Sequence, residues 1–330
     1  MQEFDLISQV FAPLAGDDAP ANGLKDDTAC LQPPEGRDLI FTKDLMIENV
    51  HFPSNAQPSA VARRLLRVNL SDLAAAGAQP MGYMLGVAAT GDEDEAWFQD
   101  FASGLKADQE EFGVRLWGGD TTSGSTSLCL SLTAVGSVPK GSGLKRTGAE
   151  VGDGIYVTGT IGDAAFGLKA LEGKLVERVL KNDADYFTDR YWRPRPRLSI
   201  GQGLLGVASA AVDVSDGLLA DVEHLASASA LKAVVETKLV PLSASLKAYV
   251  KMDPSYVNEV VSGGDDYELV FTAPRGTERQ IIDIGWRAGV LITRIGDMDK
   301  GEGLSVLDLE GQAMNAGQKG YQHLIGNKGN

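Results

Sequence analysis

One carboxylate constrains this chain more than any other feature. In residues 61–77, Val61, Leu65, Val68 and Asp72 recur at spacings of four, three and four, the stripe of one α-helical face. The stripe is apolar until Asp72, so a charge stands where a core residue belongs. An ionised, unpaired carboxylate in a protein interior is costly, so Asp72 requires a partner. The small side chains of Ala74, Ala75 and Ala76 leave room for one to approach. A helix-end aspartate bonded to neighbouring backbone would meet the same requirement.

The rest of the sequence repeats the pattern. Five places combine Asp with Gly, Ser or Thr at an expected strand or helix end: 26–28, 42–44, 71–72, 118–122 and 213–217. Ligands bind at strand ends in α/β sheets. Carboxylate and hydroxyl oxygens are hard ligands, suited to Mg²⁺ or Mn²⁺, and no Cys/His cluster competes with them. Several divalent ions held by Asp imply a highly charged ligand, of which polyphosphate is the commonest. There is no P-loop motif and no protein-kinase motif set. Gly159-Thr160-Ile161-Gly162 has two readings, a phosphate cradle at a helix start or an ordinary turn capped by Asp163. With three histidines and neither Cys placed beside one, no catalytic triad is present.

Composition sets the outer limits. The 330 residues suffice for two domains. A formal charge of −15 opposes nucleic acid as a partner and suits a protein that collects divalent cations. No apolar run reaches membrane-spanning length, and the acidic, amphipathic N-terminus is not a secretory signal. Cys30 and Cys129 read as reduced packing residues of a cytoplasmic protein.

Periodicity predicts a helix at 3–12, a loop at 16–22, a strand opening at Asp26 and Asp27, and a strand at 39–44. The Asp72 helix follows, then a strand at 81–89 and a helix at 94–112. A strand at 114–117 runs into Gly118-Gly119-Asp120, and another spans 128–138. The Gly/Lys-rich segment 140–154 reads as a linker. Beyond it come a strand at 155–158, a helix after Asp163, and a turn at 193–197 whose Pro196 fits the first position of the next helix. A strand at 210–214 meets Ser215-Asp216-Gly217 and a helix at 218–229. Gly263-Gly264-Asp265 precedes a strand at 269–272, and a helix and two strands run to 309. The intervals Asp72 to Asp120 and Asp216 to Asp265, 48 and 49 residues, hint at duplication.

Six motifs occur in order: Leu24-Lys-Asp-Asp-Thr-Ala29, Thr42-Lys-Asp44 with Val50-His-Phe52, Val68-Asn-Leu-Ser-Asp-Leu-Ala-Ala75, Gly118-Gly-Asp-Thr-Thr122, Val212-Asp-Val-Ser-Asp-Gly-Leu218 and Gly263-Gly-Asp-Asp-Tyr-Glu-Leu269. Together they resemble the thiamine-monophosphate kinase family of the aminoimidazole-ribonucleotide-synthetase-like superfamily. The resemblance implies a two-domain PurM-like α/β fold of the α+β type. Residues 1–147 would bind ATP and Mg²⁺ and dimerise through a barrel of N-terminal strands. Residues 148–330 would form an α/β domain completing the active site. It implies a homodimer that phosphorylates thiamine monophosphate with ATP and several Mg²⁺.

Carried over motif by motif, Asp27, Thr42, Asp44, Asp72, Asp120, Asp213 and Asp216 would be metal ligands. Gly119, Asp120, Arg146 and Ser215 would meet the nucleotide, and His51, Asp265 and Tyr321 the thiamine phosphate. Three positions depart from the family: Lys25 replaces a Gly, Lys43 stands where Thr is common, and Asp265 stands where many members have Glu. A protonated Lys43 cannot ligate a metal through its side chain. The acceptor phosphate is already anionic, so the chemistry needs no general base. A cation–π contact from Tyr321 would suit an aromatic substrate cation. The same motifs remain compatible with another ATP-using member of the superfamily, with a non-catalytic Mg²⁺ or nucleotide-binding protein, or with a two-metal phosphohydrolase.

Overall fold

In the computed structural model, which describes residues 3–16, 20–175, 180–314 and 320–321, the chain divides between Gly143 and Leu144 into two units. The first unit opens with α1 (Glu3–Leu6), a π-helical turn (Ile7–Phe11) and α2 (Ala12–Ala15). After a short 3-10 turn (Asn22–Leu24) come β1 (Arg37–Ile47), α3 (Pro58–Ala75), β2 (Gln79–Ala89), α4 (Glu95–Phe112), β3 (Leu116–Ser123) and β4 (Cys129–Pro139). The sheet order is β1-β4-β2-β3, with β4 antiparallel to both neighbours and β3 parallel to β2.

Strand alternation gives this sheet two unlike faces. Thr42, Asp44 and Met46 stand in register with Ala134, Leu132 and Leu130, and these with Tyr83, Leu85 and Val87. The β4 and β2 residues of this set are all buried, and α3 packs against β1 and β4. On the other face Phe41, Leu45 and Met84 are 63%, 52% and 42% exposed.

The Asp72 helix is buried over more of its circumference than one stripe predicts. Arg64, Arg67, Asn69 and Ser71 are buried alongside Leu65, Leu66 and Leu70, because α4 covers a second side. The α3–α4 contact is held by the buried Asp108, which accepts from Arg63 Nε at 2.8 Å and from Arg67 Nε and Nη2 at 2.7 and 2.8 Å. Sequence signals bound α4 at both ends. The Asp94 carboxylate accepts the Trp97 backbone N–H at 2.8 Å, and Gly113 takes the left-handed conformation that stops a helix. Gln109 donates to the Leu14 carbonyl and the Tyr83 hydroxyl, tying the N-terminal helices to the core.

Three expectations fail locally. Residues 26–31 form no strand, since a strand requires a neighbour to take its backbone groups; the Cys30 N–H instead reaches the Pro20 carbonyl at 3.3 Å. Cys30 is exposed rather than a packing residue, and Cys129 is half-buried. Gly118-Gly119-Asp120 lies inside β3 rather than beyond its end.

The second unit contains β5 (Gly154–Thr158), α5 (Asp163–Leu171), α6 (Lys181–Trp192), α7 (Leu198–Gly203), β6 (Ala210–Asp213), α8 (Leu218–Ala228) and β7 (Lys232–Glu236). It continues through α9 (Ala244–Met252), α10 (Tyr256–Ser262), β8 (Leu269–Ala273), α11 (Glu278–Ala288), β9 (Ile292–Asp299), β10 (Gly303–Leu307) and β11 (Ala313–Met314). The sheet order is β11-β10-β7-β9-β5-β8-β6, with β10 parallel to β7 and the remaining pairs antiparallel. Leu218, Leu219, Val222 and Leu225 of α8 pack into its core with Val212, Val235, Val270 and Ile295. The boundary puts Arg146 in this unit, where the neighbouring Lys145 carbonyl accepts the Ala211 N–H at 2.9 Å. Arg197 caps α7, so Pro196 precedes that helix instead of opening it.

In the first unit, Trp117 is the extra residue of a bulge between β2 and β3, and its indole lies on Gly82. A Cβ at Gly82 would stand 2.1 Å from the ring. Gly82→Ala is therefore expected to cost about 1–3 kcal/mol through overpacking, measurable by urea denaturation. Wild-type stability would show that the indole is not seated there.

Candidate functional site

In the first unit the partner that Asp72 requires is Thr42, whose hydroxyl donates to Asp72 Oδ2. Asp44, two residues further along β1 on the same face, is half-buried beside Asp72. Burial first, and the Asp72 charge second, push the Asp44 carboxyl from an ordinary 3.8 up to about 7. Three of the expected metal ligands, Thr42, Asp44 and Asp72, are thus brought together by one strand and one helix. Their donor set is all hard oxygen, and two carboxylates crowded into a half-buried space suit a divalent cation.

The other first-unit residues are placed differently. Asp27 is exposed in the irregular segment after the 3-10 turn, where its neighbour Asp26 accepts from Asn22 at 2.6 Å. The row Asp44, Leu132, Leu85, Gly119 crosses the sheet, and the next row is Leu45, Ser131, Gly86, Asp120. Asp120 is exposed and falls on the opposite face from Asp44. Gly119 is required by close approach, since a Cβ there would lie 1.9 Å from the Leu85 carbonyl oxygen. Lys43 also occupies the opposite face, donating to Ser131 Oγ at 2.5 Å. His51 sits in the turn after β1, with Nδ1 accepting the Ile47 N–H at 3.0 Å.

In the second unit, three segments far apart in sequence interlock. Asp213 ends β6 and is buried, and Ser215-Asp216-Gly217 leads into α8. The Asp265 N–H donates to the Ser215 carbonyl at 2.9 Å, the Tyr267 N–H to the Val214 carbonyl at 2.9 Å, and the Tyr321 N–H to the Asp216 carbonyl at 3.0 Å. Close approach demands glycine here: a Cβ at Gly264 would lie 2.4 Å from the Ser215 oxygen, and one at Gly320 2.8 Å from the Asp216 oxygen. Asp265 and Tyr267 both have positive φ, 74° and 51°, strain of the kind found at functional sites. Ser215, Asp216, Asp265 and Tyr321 therefore share one corner of this unit.

Sequence reasoning missed two members of that corner. Asp221 Oδ2 accepts the N–H groups of Asp216 and Gly217 at 3.1 and 3.2 Å. Burial, then the Asp216 charge, push its carboxyl up to about 7 against the pull of those N–H donors and of Arg146. The donor atoms of Asp216, Asp221 and His224 lie within 4.8 Å of one another. The available signal was Asp221 in the first turn of a helix, where a carboxylate can reach back to free N–H groups.

The Gly159–Gly162 turn is not a phosphate cradle. The Gly162 and Ala164 N–H groups are taken by the buried Asp266, at 2.6 and 3.3 Å. Gly159 lies against Glu268, where a Cβ would be 2.2 Å from Oε1. Asp163 does not cap the helix backbone, but accepts from Thr160 and Ser243, both at 2.6 Å.

Comparison with known proteins bears on these sites. Residues 25–138 match the family model described as AIR synthase related protein, N-terminal domain. Thiamine-monophosphate kinase of Caulobacter vibrioides is 39% identical over 97% of this chain and 90% of its own length. The crystal structure of thiamine-monophosphate kinase from Stenotrophomonas maltophilia is 38% identical with a TM-score of 0.80, covering 88% of this chain and 91% of the other. AaThiL complexed with AMPPCP and TMP is 31% identical with a TM-score of 0.77, covering 91% of each chain.

Two of the raised carboxylates, Asp44 and Asp221, carry a pH dependence near neutrality. The folded values at Asp44 and Asp221 lie above the unfolded ones, so the folded protein binds these protons more tightly. The resulting stability is complete below the unfolded value and is lost as pH rises through about 7. The melting temperature of the metal-free protein is expected to fall between about pH 4 and pH 7, and Asp44→Asn to flatten that fall. A slope unchanged in the variant would contradict the burial of Asp44 beside Asp72.

Proposed function

The chain belongs to the thiamine-monophosphate kinase family, and from that premise we propose that it transfers the terminal phosphoryl group of ATP, directly and in line, to the phosphate of thiamine monophosphate. The product is thiamine diphosphate, and the reaction is a step of its biosynthesis. The observation that carries this reading is the Thr42–Asp72–Asp44 group, in which burial, and then the Asp72 charge, hold Asp44 at about 7. AaThiL, with AMPPCP and TMP bound, supports the same pair of substrates.

Asp27, Thr42, Asp44, Asp72, Asp120, Asp213 and Asp216 are the proposed ligands of several Mg²⁺ ions. Gly119, Asp120, Arg146 and Ser215 are proposed to meet ATP, and His51, Asp265 and Tyr321 the thiamine phosphate. The Asp27 and Asp120 assignments rest on their motifs, since neither side chain joins the Asp44 group. Mg²⁺, when bound, neutralises the phosphates so that two anions can approach. The chain's own residues then have little proton transfer to do, because the acceptor oxygen is already anionic. Arg146 adds a permanent positive charge beside the Asp216–Asp221 corner. Asp265, held at positive φ by its bond to Ser215, keeps its carboxylate in one place for an organic cation.

The protein is further proposed to act in the cytoplasm as a homodimer, without nucleic-acid or membrane partners. Among the described residues, no helix is long and apolar enough to cross a membrane. The exposed face bearing Phe41, Leu45 and Met84 is apolar enough to seat a second copy. Sedimentation should give a dimer for the wild type and a monomer for Leu45→Glu; a monomeric wild type rejects this interface.

The assay that tests the function is incubation with ATP, Mg²⁺ and thiamine monophosphate followed by separation of the products. Thiamine diphosphate and ADP are expected in equal amounts. Free phosphate without thiamine diphosphate would mark a hydrolase. Asp72→Asn should lower kcat by roughly a hundredfold or more, because an amide keeps the shape but loses the charge that holds a cation. Near-wild-type turnover in that variant would reject the multi-metal reading.

A further inference from the structure

The two faces of α11 are treated differently by the second unit. On the inner face Ile281 and Gly285 are buried, the Ile284 side chain lies against Gly203 of α7, and the helix also touches β9. Its ends are fixed as well. Glu278 accepts the Gly276 N–H at 2.9 Å, and beyond the left-handed Gly289 the Val290 N–H returns to the Gly285 carbonyl at 2.9 Å.

The outer face of this well-anchored helix is bare and apolar. Trp286 is 83% exposed, the most of any large apolar side chain among the described residues. Ile282, one turn earlier on the same stripe, is 67% exposed, and so is Leu291, two residues past the Gly289 stop. A lone exposed apolar residue is ordinary, whereas neighbouring ones on one stripe mark a contact surface.

The charges on this face are ordered about Ile282. Arg279 precedes it by three residues, Asp283 follows it by one and Trp286 by four. Arg279, Asp283 and Arg287 are exposed, and among the described residues none of them closes an ion pair, although Asp283 stands four positions from each arginine. These charges are therefore available to another molecule.

Helix geometry decides which molecule fits. Consider an antiparallel pair of α11 helices about a two-fold axis at Ile282. A position three before the axis on one copy then lies within about 1.5 Å of level with a position four after it on the other. Ile282 meets itself at the axis. Arg279 comes beside the partner's Trp286, a guanidinium over an indole, and the same guanidinium reaches the partner's Asp283. An unrelated protein would need its own sequence to match this order. A second copy matches it automatically, because a two-fold contact makes every pairing twice. An anionic membrane fits less well, since Glu278 and Asp283 oppose its charge.

We infer that α11 is a self-docking face, on which another copy of this chain seats through Arg279, Ile282, Asp283 and Trp286. The inference rests neither on the kinase reading nor on the dimer proposed through the first unit. One helix face buries little area, so the contact is weak and forms at about 0.1–1 mM rather than at micromolar concentration.

The test is sedimentation of the whole chain across a range of concentrations, with the melting temperature as the check on folding. The wild type should gain mass as its concentration rises towards about 1 mM, and Trp286→Ala should weaken that association roughly tenfold or more. Arg279→Glu and Asp283→Arg each set like charges opposite one another, so each variant alone should lose the association. Mixed in equal amounts the two should associate again, because every charge then faces its opposite. Only a contact between copies produces that rescue. Repeating the series in Leu45→Glu removes the first-unit contact, so failure of that dimer leaves the result readable. No gain in mass up to about 1 mM, indifference to Trp286→Ala, or a mixture that stays apart would each overturn the inference.

Discussion

The second unit depends on a buried carboxylate. Glu268 accepts from the Thr158 hydroxyl at 2.6 Å, from Arg190 at 3.0 Å and from Arg197 Nε at 2.6 Å, with Arg197 Nη2 as a fourth donor. These partners come from the end of β5, from α6 and from the residue that caps α7. Removing one member of such a set leaves the others charged and buried, which costs more than the pair contributes. Glu268 stands one residue before β8, so its bonds also locate the loop ahead of it. Asp266 is drawn into the start of α5, and Asp265 and Tyr267 are pinned to the β6–α8 loop despite their positive φ. The candidate site is the outer edge of a structure whose inner edge is this ion network.

Two groups of carboxylates in this chain contrast. Asp108 and Glu268 are buried and satisfied by arginines, and they serve the fold. Asp221 is buried and Asp44 half-buried, each beside another carboxylate, and their protons are retained to about 7. Burial without a cation is unfavourable for the charged form, so the second group marks where a positive ligand has most to gain.

Much of this could be read from the chain alone. The Asp72 stripe, the caps of α4, the strands around 39–44, 128–138, 155–158 and 269–272, and the six ordered motifs are all local signals. Hydrophobic period, capping chemistry and motif order are written in neighbouring residues. The sequence also announced that Asp72 needs a partner, because an unpaired charge on an apolar stripe is unfavourable in any fold.

Which partner it takes was decided only by the tertiary structure. Thr42 and Asp44 meet Asp72 because one strand and one helix stack, and Asp120 is turned to the other face by the sheet register. The echo between the two halves dissolves for the same reason: Asp72 lies within a helix and Asp216 before one, Asp120 within a strand and Asp265 in a loop. Gly159 and Gly162 match a phosphate loop in composition, but Asp266 and Glu268, more than a hundred residues away, already occupy the space. Local sequence determines which groups are chemically demanding. Long-range packing determines which of those demands the protein meets itself and which it leaves for a ligand, because burial and charge pairing are properties of the assembled chain.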